Sequence, residues 1–87
     1  MPHKIELSRA AKKFLDGLRD AKLSRRFGQA INSLSDDPRP PGSLKLQGNE
    51  ELYRIRIGDY RIIYQIQDRV LLVLIVDIGH RGEIYRR

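Results

Sequence analysis

The chain contains no cysteine, which removes disulfides, thiolate nucleophiles and Cys-based zinc sites together. Histidine is nearly missing too. His3 and His80 are the only two, too few for a His-rich metal cage. No apolar run outlasts residues 70–76, far short of the roughly 20 residues a membrane-spanning helix needs. Residues 1–20 scatter Lys and Asp among their apolar positions and hold no apolar h-region, so no signal peptide is expected. Repeats and low-complexity tracts are absent. The 87 residues leave room for a single domain spanning 1–87, and a chain this short buries only about 60% of the surface it exposes when unfolded. The expectation is a cytoplasmic, membrane-free protein with a compact core.

Negative charge is scarce as well. Seventeen Lys and Arg stand against 11 Asp and Glu, a formal net charge of +6. Such an excess favours phosphate polyanions through counterion release, and it equally favours acidic protein partners. Where the charges sit must decide between a binding face and a merely basic surface.

Residues 3–7 (HKIEL) place Ile5 and Leu7 two apart, which suits a strand. Ser8 offers a side-chain oxygen to the open amides of a following helix. Ala11, Phe14, Leu15 and Leu18 then recur at helical spacing. A break near residues 20–21 precedes a second series, Leu23, Phe27, Ala30, Ile31 and Leu34, so two helices should pack as a hairpin. Residues 35–43 (SDDPRPPGS) must be a loop, because three prolines and a glycine remove amide donors and fix φ. From Leu44 the period becomes two: Leu44 and Leu46 alternate with Lys45 and Gln47, residues 48–49 interrupt, and residues 52–57, 60–67 and 70–78 then read as strands, the last apolar enough to be covered on both faces. The pattern is β-α-α-β-β-β, an α+β fold with the helical hairpin on one face of a mostly antiparallel sheet.

Gly58-Asp59 fits a two-residue type II′ turn. Ile57 then opposes Tyr60, Arg56 opposes Arg61, and Arg54 opposes Ile63. Alternation puts Tyr53, Ile55, Ile57, Tyr60, Ile62, Tyr64 and Ile66 on a core face and Arg54, Arg56 and Arg61 on the other. Like charges directly opposite cost a sheet a few tenths to about 1 kcal/mol. Neither strand places an acid on that outward face to offset them, and a broken local rule marks the place where function is expected. Guanidinium groups present a planar donor fork matched to phosphate oxygens, so the outward face reads as a phosphate site. Gly79 and Gly82 permit a bend that would return His80, Arg81 and Tyr85 to the sheet. Histidine is the residue type whose unperturbed pKa lies near neutrality, which makes His80 a candidate for proton transfer, and Tyr85 offers a ring and a hydroxyl.

Three strings, LKLQG at 44–48, YRIRIGDYRIIYQI at 53–66 and GHRGEIY at 79–85, resemble the RelE branch of the RelE/ParE toxin superfamily, and the similarity runs the length of the chain. The resemblance implies a RelE-like microbial-ribonuclease-type fold and a toxin of a type II toxin–antitoxin system. Its activity would be ribosome-dependent cleavage of messenger RNA by metal-free, cofactor-free attack of a 2′-hydroxyl on the adjacent phosphate. It also implies a cognate antitoxin, acidic and wrapped around the toxin in an oligomeric complex. Arg61 and Arg81 match phosphate-stabilising arginines, and Tyr85 matches a C-terminal tyrosine. Arg54 and Arg56 fall where the best-known members carry two lysines. Arginine does not surrender its proton, so the proton relay moves toward His80 or Tyr85, while Lys45, Arg54, Arg56, Arg61 and Arg81 would hold the RNA phosphates. Two other outcomes stay open: a ParE-like gyrase poison, and a degenerate toxin acting as an antitoxin-bound co-repressor. Lys12, Lys13, Arg19, Lys22, Arg25 and Arg26 along the helices would either grip ribosomal RNA or simply be solvated.

Overall fold

The computed structural model describes residues 2–46, 48 and 51–80. Strand β1 (Lys4–Leu7) leads into helix α1 (Arg9–Asp16) and helix α2 (Ala21–Asp36). Among the described residues four strands follow: β2 (Leu44–Lys45), β3 (Leu52–Ile57), β4 (Tyr60–Gln67) and β5 (Leu72–His80). The sheet order is β1-β5-β4-β3-β2. Only β1 and β5 run parallel; every other neighbouring pair is antiparallel. The α+β reading holds, with one strand more than the pattern counted, because residues 44–45 form a short edge strand of their own.

Both helices start where the sequence supplies a cap. Ser8 Oγ accepts the Ala11 amide at 3.0 Å, and Asp20 Oδ1 accepts the amides of Lys22 and Leu23 at 2.9 and 3.1 Å. Each bond satisfies a helix-terminal donor that has no partner within the helix. Ser8 also donates to the Val76 carbonyl at 2.6 Å, which pins the start of α1 to β5.

The helices bury Ala11, Phe27, Ile31 and Leu34 against Ile55, Ile62, Tyr64, Ile66, Val73, Ile75 and Ile78 of the sheet. Phe14 of α1 and Phe27 of α2 meet edge to face at 5.6 Å, and both rings meet Tyr60 of β4, at 5.7 and 5.5 Å. That aromatic triangle joins the two helices to the sheet, in the geometry that ring quadrupoles prefer.

The last strand differs from its sequence reading in position and in phase. Val70 and Leu71 are not strand. Asp68–Val70 forms a 3-10 turn closed by Leu71 in the left-handed region, φ 52, and both apolar side chains are exposed. Further along, the β4–β5 register slips between Ile63 and Tyr64: Tyr64 opposes Ile75, yet Ile63 opposes Asp77. Val76 is therefore a bulge residue, and a bulge resets which side chains point to which face. Val73, Ile75 and Ile78 are buried on the helix side, whereas Leu72, Leu74 and Val76 are only half-buried. The strand is not covered equally on both faces.

Candidate nucleic-acid interface

The β3–β4 hairpin has the register its sequence dictates: Ile57 opposite Tyr60, Arg56 opposite Arg61, Arg54 opposite Ile63. Gly58 has φ +58, while Leu71 is the sole positive-φ non-glycine among the described residues. Only the first central residue of the turn is thus left-handed, as a type II′ turn requires. Ile62, Tyr64 and Ile66 are buried under the helices. Arg54, Arg56 and Arg61 consequently share the face that the helices do not cover. Arg56 is exposed, and Arg54 and Arg61 are half-buried. Two successive cross-strand rows carry them: Arg56, Arg61 and Gly79, then Arg54, Ile63 and Asp77.

Asp77 is the residue that sequence reasoning missed on this face. It is 7% exposed, and its Oδ1 accepts the amide of Ile78 at 3.0 Å. The Val76 bulge puts it there, since uninterrupted alternation from Val73 and Ile75 would have turned residue 77 into the core. A lone acid within an otherwise apolar strand was the available signal.

A family model described as "ParE toxin of type II toxin-antitoxin system, parDE" matches residues 5–85. The chain belongs to the RelE/ParE toxin superfamily. Toxin RelG of Mycobacterium tuberculosis is 30% identical over 87 residues, covering 100% of both chains. Among solved structures, the archaeal RelE–RelB complex from Pyrococcus horikoshii OT3 superposes with a TM-score of 0.82 at 30% identity, over 95% of this chain and 99% of that one. The toxin–antitoxin complex RelBE2 of M. tuberculosis shares the fold at 23% identity, TM-score 0.78, over 93% of this chain and 100% of its own.

Not every expected site residue of this RelE/ParE chain gathers on the arginine face. β5 runs straight through His80, which opposes Tyr60 and packs on its ring at 4.4 Å. Because Tyr60 points to the helices, His80 lies on the helix side, and no bend at Gly79 returns it to the arginines. Lys45 opposes Tyr53 and so shares the helix side as well; its neighbour Leu44 is the one opposite Arg54. Arg81 and Tyr85 lie outside the described residues. Among the described residues no helix is long and apolar enough to cross a membrane, and no group of three or more His, Asp or Glu side chains is placed to hold a metal ion.

Arg26 is another basic group with a definite place. Its guanidinium lies 3.6 Å from where a Cβ on Gly58 would sit, so α2 contributes a cation at the hairpin tip. The opposite end of the sheet is tied by a different set. Asp68 accepts from Arg39 at 2.9 Å and meets His3 Nε2 at 3.1 Å; Arg39 also donates to the Tyr53 hydroxyl at 3.2 Å. These bonds, Arg39 first and then His3, hold the Asp68 carboxyl below the ordinary carboxylate range, and Asp68 with Tyr53 keeps Arg39 more firmly protonated still. Tyr64, stacked on Tyr53 at 6.0 Å, donates to the Pro38 carbonyl at 2.7 Å; burial pushes its hydroxyl up to about 12.

Proposed function

We propose that this toxin cleaves RNA, in the manner of a ribosome-dependent messenger-RNA endoribonuclease, and that the arginine face holds the scissile phosphate. The observation that carries the reading is the Arg56–Arg61 opposition with Arg54 one row along, on the sheet face the helices leave uncovered. Cleavage needs no redox or metal chemistry. The 2′-oxygen bonds to the adjacent phosphorus, the bond from phosphorus to the 5′-oxygen breaks, and the products are a 2′,3′-cyclic phosphate and a 5′-hydroxyl. One proton leaves the 2′-hydroxyl and one reaches the departing oxygen. Guanidiniums cannot accept the first at neutral pH. They stabilise the added negative charge of the pentacoordinate transition state, a task suited to donors fixed in advance.

In this reading Arg54, Arg56, Arg61 and Arg81 bind phosphate, and Tyr85 is the candidate for proton transfer by its likeness to the family's C-terminal tyrosine. His80 is left with packing on Tyr60. A cognate antitoxin is the expected partner, since relatives with this fold have been crystallised as toxin–antitoxin complexes, and an acidic segment laid over the arginines would silence them. The test is expression without antitoxin, followed by mapping of transcript 5′ ends. New 5′-hydroxyl ends that vanish in Arg61→Ala support the reading; growth arrest without new ends overturns it.

A second reading has one specific observation behind it, the description of the matching family model as a ParE toxin. A gyrase poison would inhibit DNA supercoiling by purified gyrase and leave transcripts intact, so the two assays separate the readings.

A further inference from the structure

The uncovered sheet face does not end at the arginines. Along β4 it continues through Ile63 to Gln65 and Gln67, which oppose Leu74 and Leu72 of β5. At that end Glu51, Gln65, Gln67, Asp68, Arg69 and Val70 line a groove of about 420 Å³, within the roughly 300–1,000 Å³ typical of small-molecule sites. We propose that this groove seats one unpaired nucleobase of the RNA, and that it selects bases carrying an exocyclic amino group. The inference rests on the RNA-cleavage reading and adds a specificity site to it.

Position is the first support. Gln65 and Gln67 lie four and six residues from Arg61 on the same face of one strand, about 13–20 Å at roughly 3.3 Å per residue. That span is the reach of a few nucleotides, so a strand whose phosphate rests on the arginines is long enough to place a neighbouring base in the groove.

Chemistry is the second. Gln67 Nε2 donates to Gln65 Oε1 at 2.8 Å, which aligns the two amides and leaves the Gln65 amino group as a donor and the Gln67 carbonyl as an acceptor. Glu51 adds a carboxylate that only accepts. Asp68 is engaged with Arg39 and His3, so its charge is present but its oxygens are occupied. Two carboxylates against Arg69 make the groove a poor phosphate site and a good seat for a neutral group rich in donors. Adenine, cytosine and guanine present an amino group; uracil presents none. Val70, 65% exposed, supplies an apolar wall for the face of a ring and gives a reason for an apolar side chain at the tip of a turn. Single-stranded RNA is characteristically read this way, by hydrogen bonds to base edges and contact with their faces.

The test is fluorescence anisotropy with labelled single-stranded hexamers of adenylate, cytidylate and uridylate. The wild-type chain should bind the first two at least about fivefold more tightly than the third, the scale of a bidentate base contact. The double variant Gln65→Leu/Gln67→Leu should lose that preference while keeping its affinity for the uridylate hexamer, because the arginines are untouched. Glu51→Gln, a milder change, should narrow the preference in the same direction. Equal affinity for all three hexamers in the wild type, or a preference that survives the double variant, overturns the base site alone. Binding of no hexamer by the wild type overturns the phosphate face with it.

Discussion

Reversing the charge at position 56 tests the arginine face through two readouts that should move in opposite directions. In Arg56→Glu the cross-strand partner of Arg61 becomes an acid, so a like-charge pair is replaced by an opposite-charge one. Each member of that comparison is worth roughly 0.2–1 kcal/mol. Position 56 is exposed, where solvent discounts ion pairs, so the net gain should be about 0.5–1 kcal/mol. For a domain of this size about 1 kcal/mol moves the melting temperature by roughly 4–8 °C, giving an expected rise of about 2–8 °C in low salt. In 1 M salt, with a Debye length of about 3 Å, most of that rise should disappear. RNA affinity should fall at the same time, with the slope of log affinity against log salt shallower by roughly 0.7 for each phosphate no longer neutralised. Arg56→Gln separates removal of charge from its reversal and should lie between. The assays are thermal melts at two salt concentrations and a salt titration of RNA binding. A variant that melts higher yet binds and cleaves RNA as well as the parent would refute the claim that this face holds phosphate. A variant that melts lower in low salt would refute the claim that the opposed arginines cost stability.

Other outcomes follow from the geometry around this face. Tyr64 keeps its proton up to about 12 in the fold against 10.0 otherwise, so its contribution is complete below pH 10 and is lost as pH rises toward 12. The loss is roughly 2–3 kcal/mol, and Tyr64→Phe should flatten the stability profile over that window in denaturant melts. Ser8→Ala removes a cap and the donor to the Val76 carbonyl together, and should cost about 2 kcal/mol in urea unfolding; a cost under about 0.5 kcal/mol would deny the pin on the bulge. His80→Ala should lower cleavage by less than about tenfold, below the 10²–10⁴ of a general acid or base, while losing about 1 kcal/mol of ring packing on Tyr60. A hundredfold loss of cleavage with unchanged melting would return His80 to the chemistry.

Local chemistry wrote the hairpin and the helix starts plainly into the chain. Gly58-Asp59 determines a two-residue turn, and once the turn is fixed the strict period of two decides every hairpin partner from Leu52 to Gln65. Ser8 and Asp20 cap because their side chains reach amides two or three residues away, an interaction that needs no distant partner. The clustering of Arg54, Arg56 and Arg61 on one face follows from the same arithmetic. Where the chain must meet something remote, local pattern no longer suffices. The run of residues 70–78 is apolar throughout its first part, so periodicity could mark neither its turn at 68–71 nor the extra residue at Val76. Pairing with β4 on one side and the Ser8 bond on the other decided that bulge, which turned Asp77 toward the arginines and His80 away from them. Lys45 met the same limit, because a two-residue edge strand takes its facing from the strand it pairs with. Residue order alone was enough to say which side chains can form a basic face. Which neighbours share that face was settled only on folding, because register across a bulge depends on partners far apart along the chain.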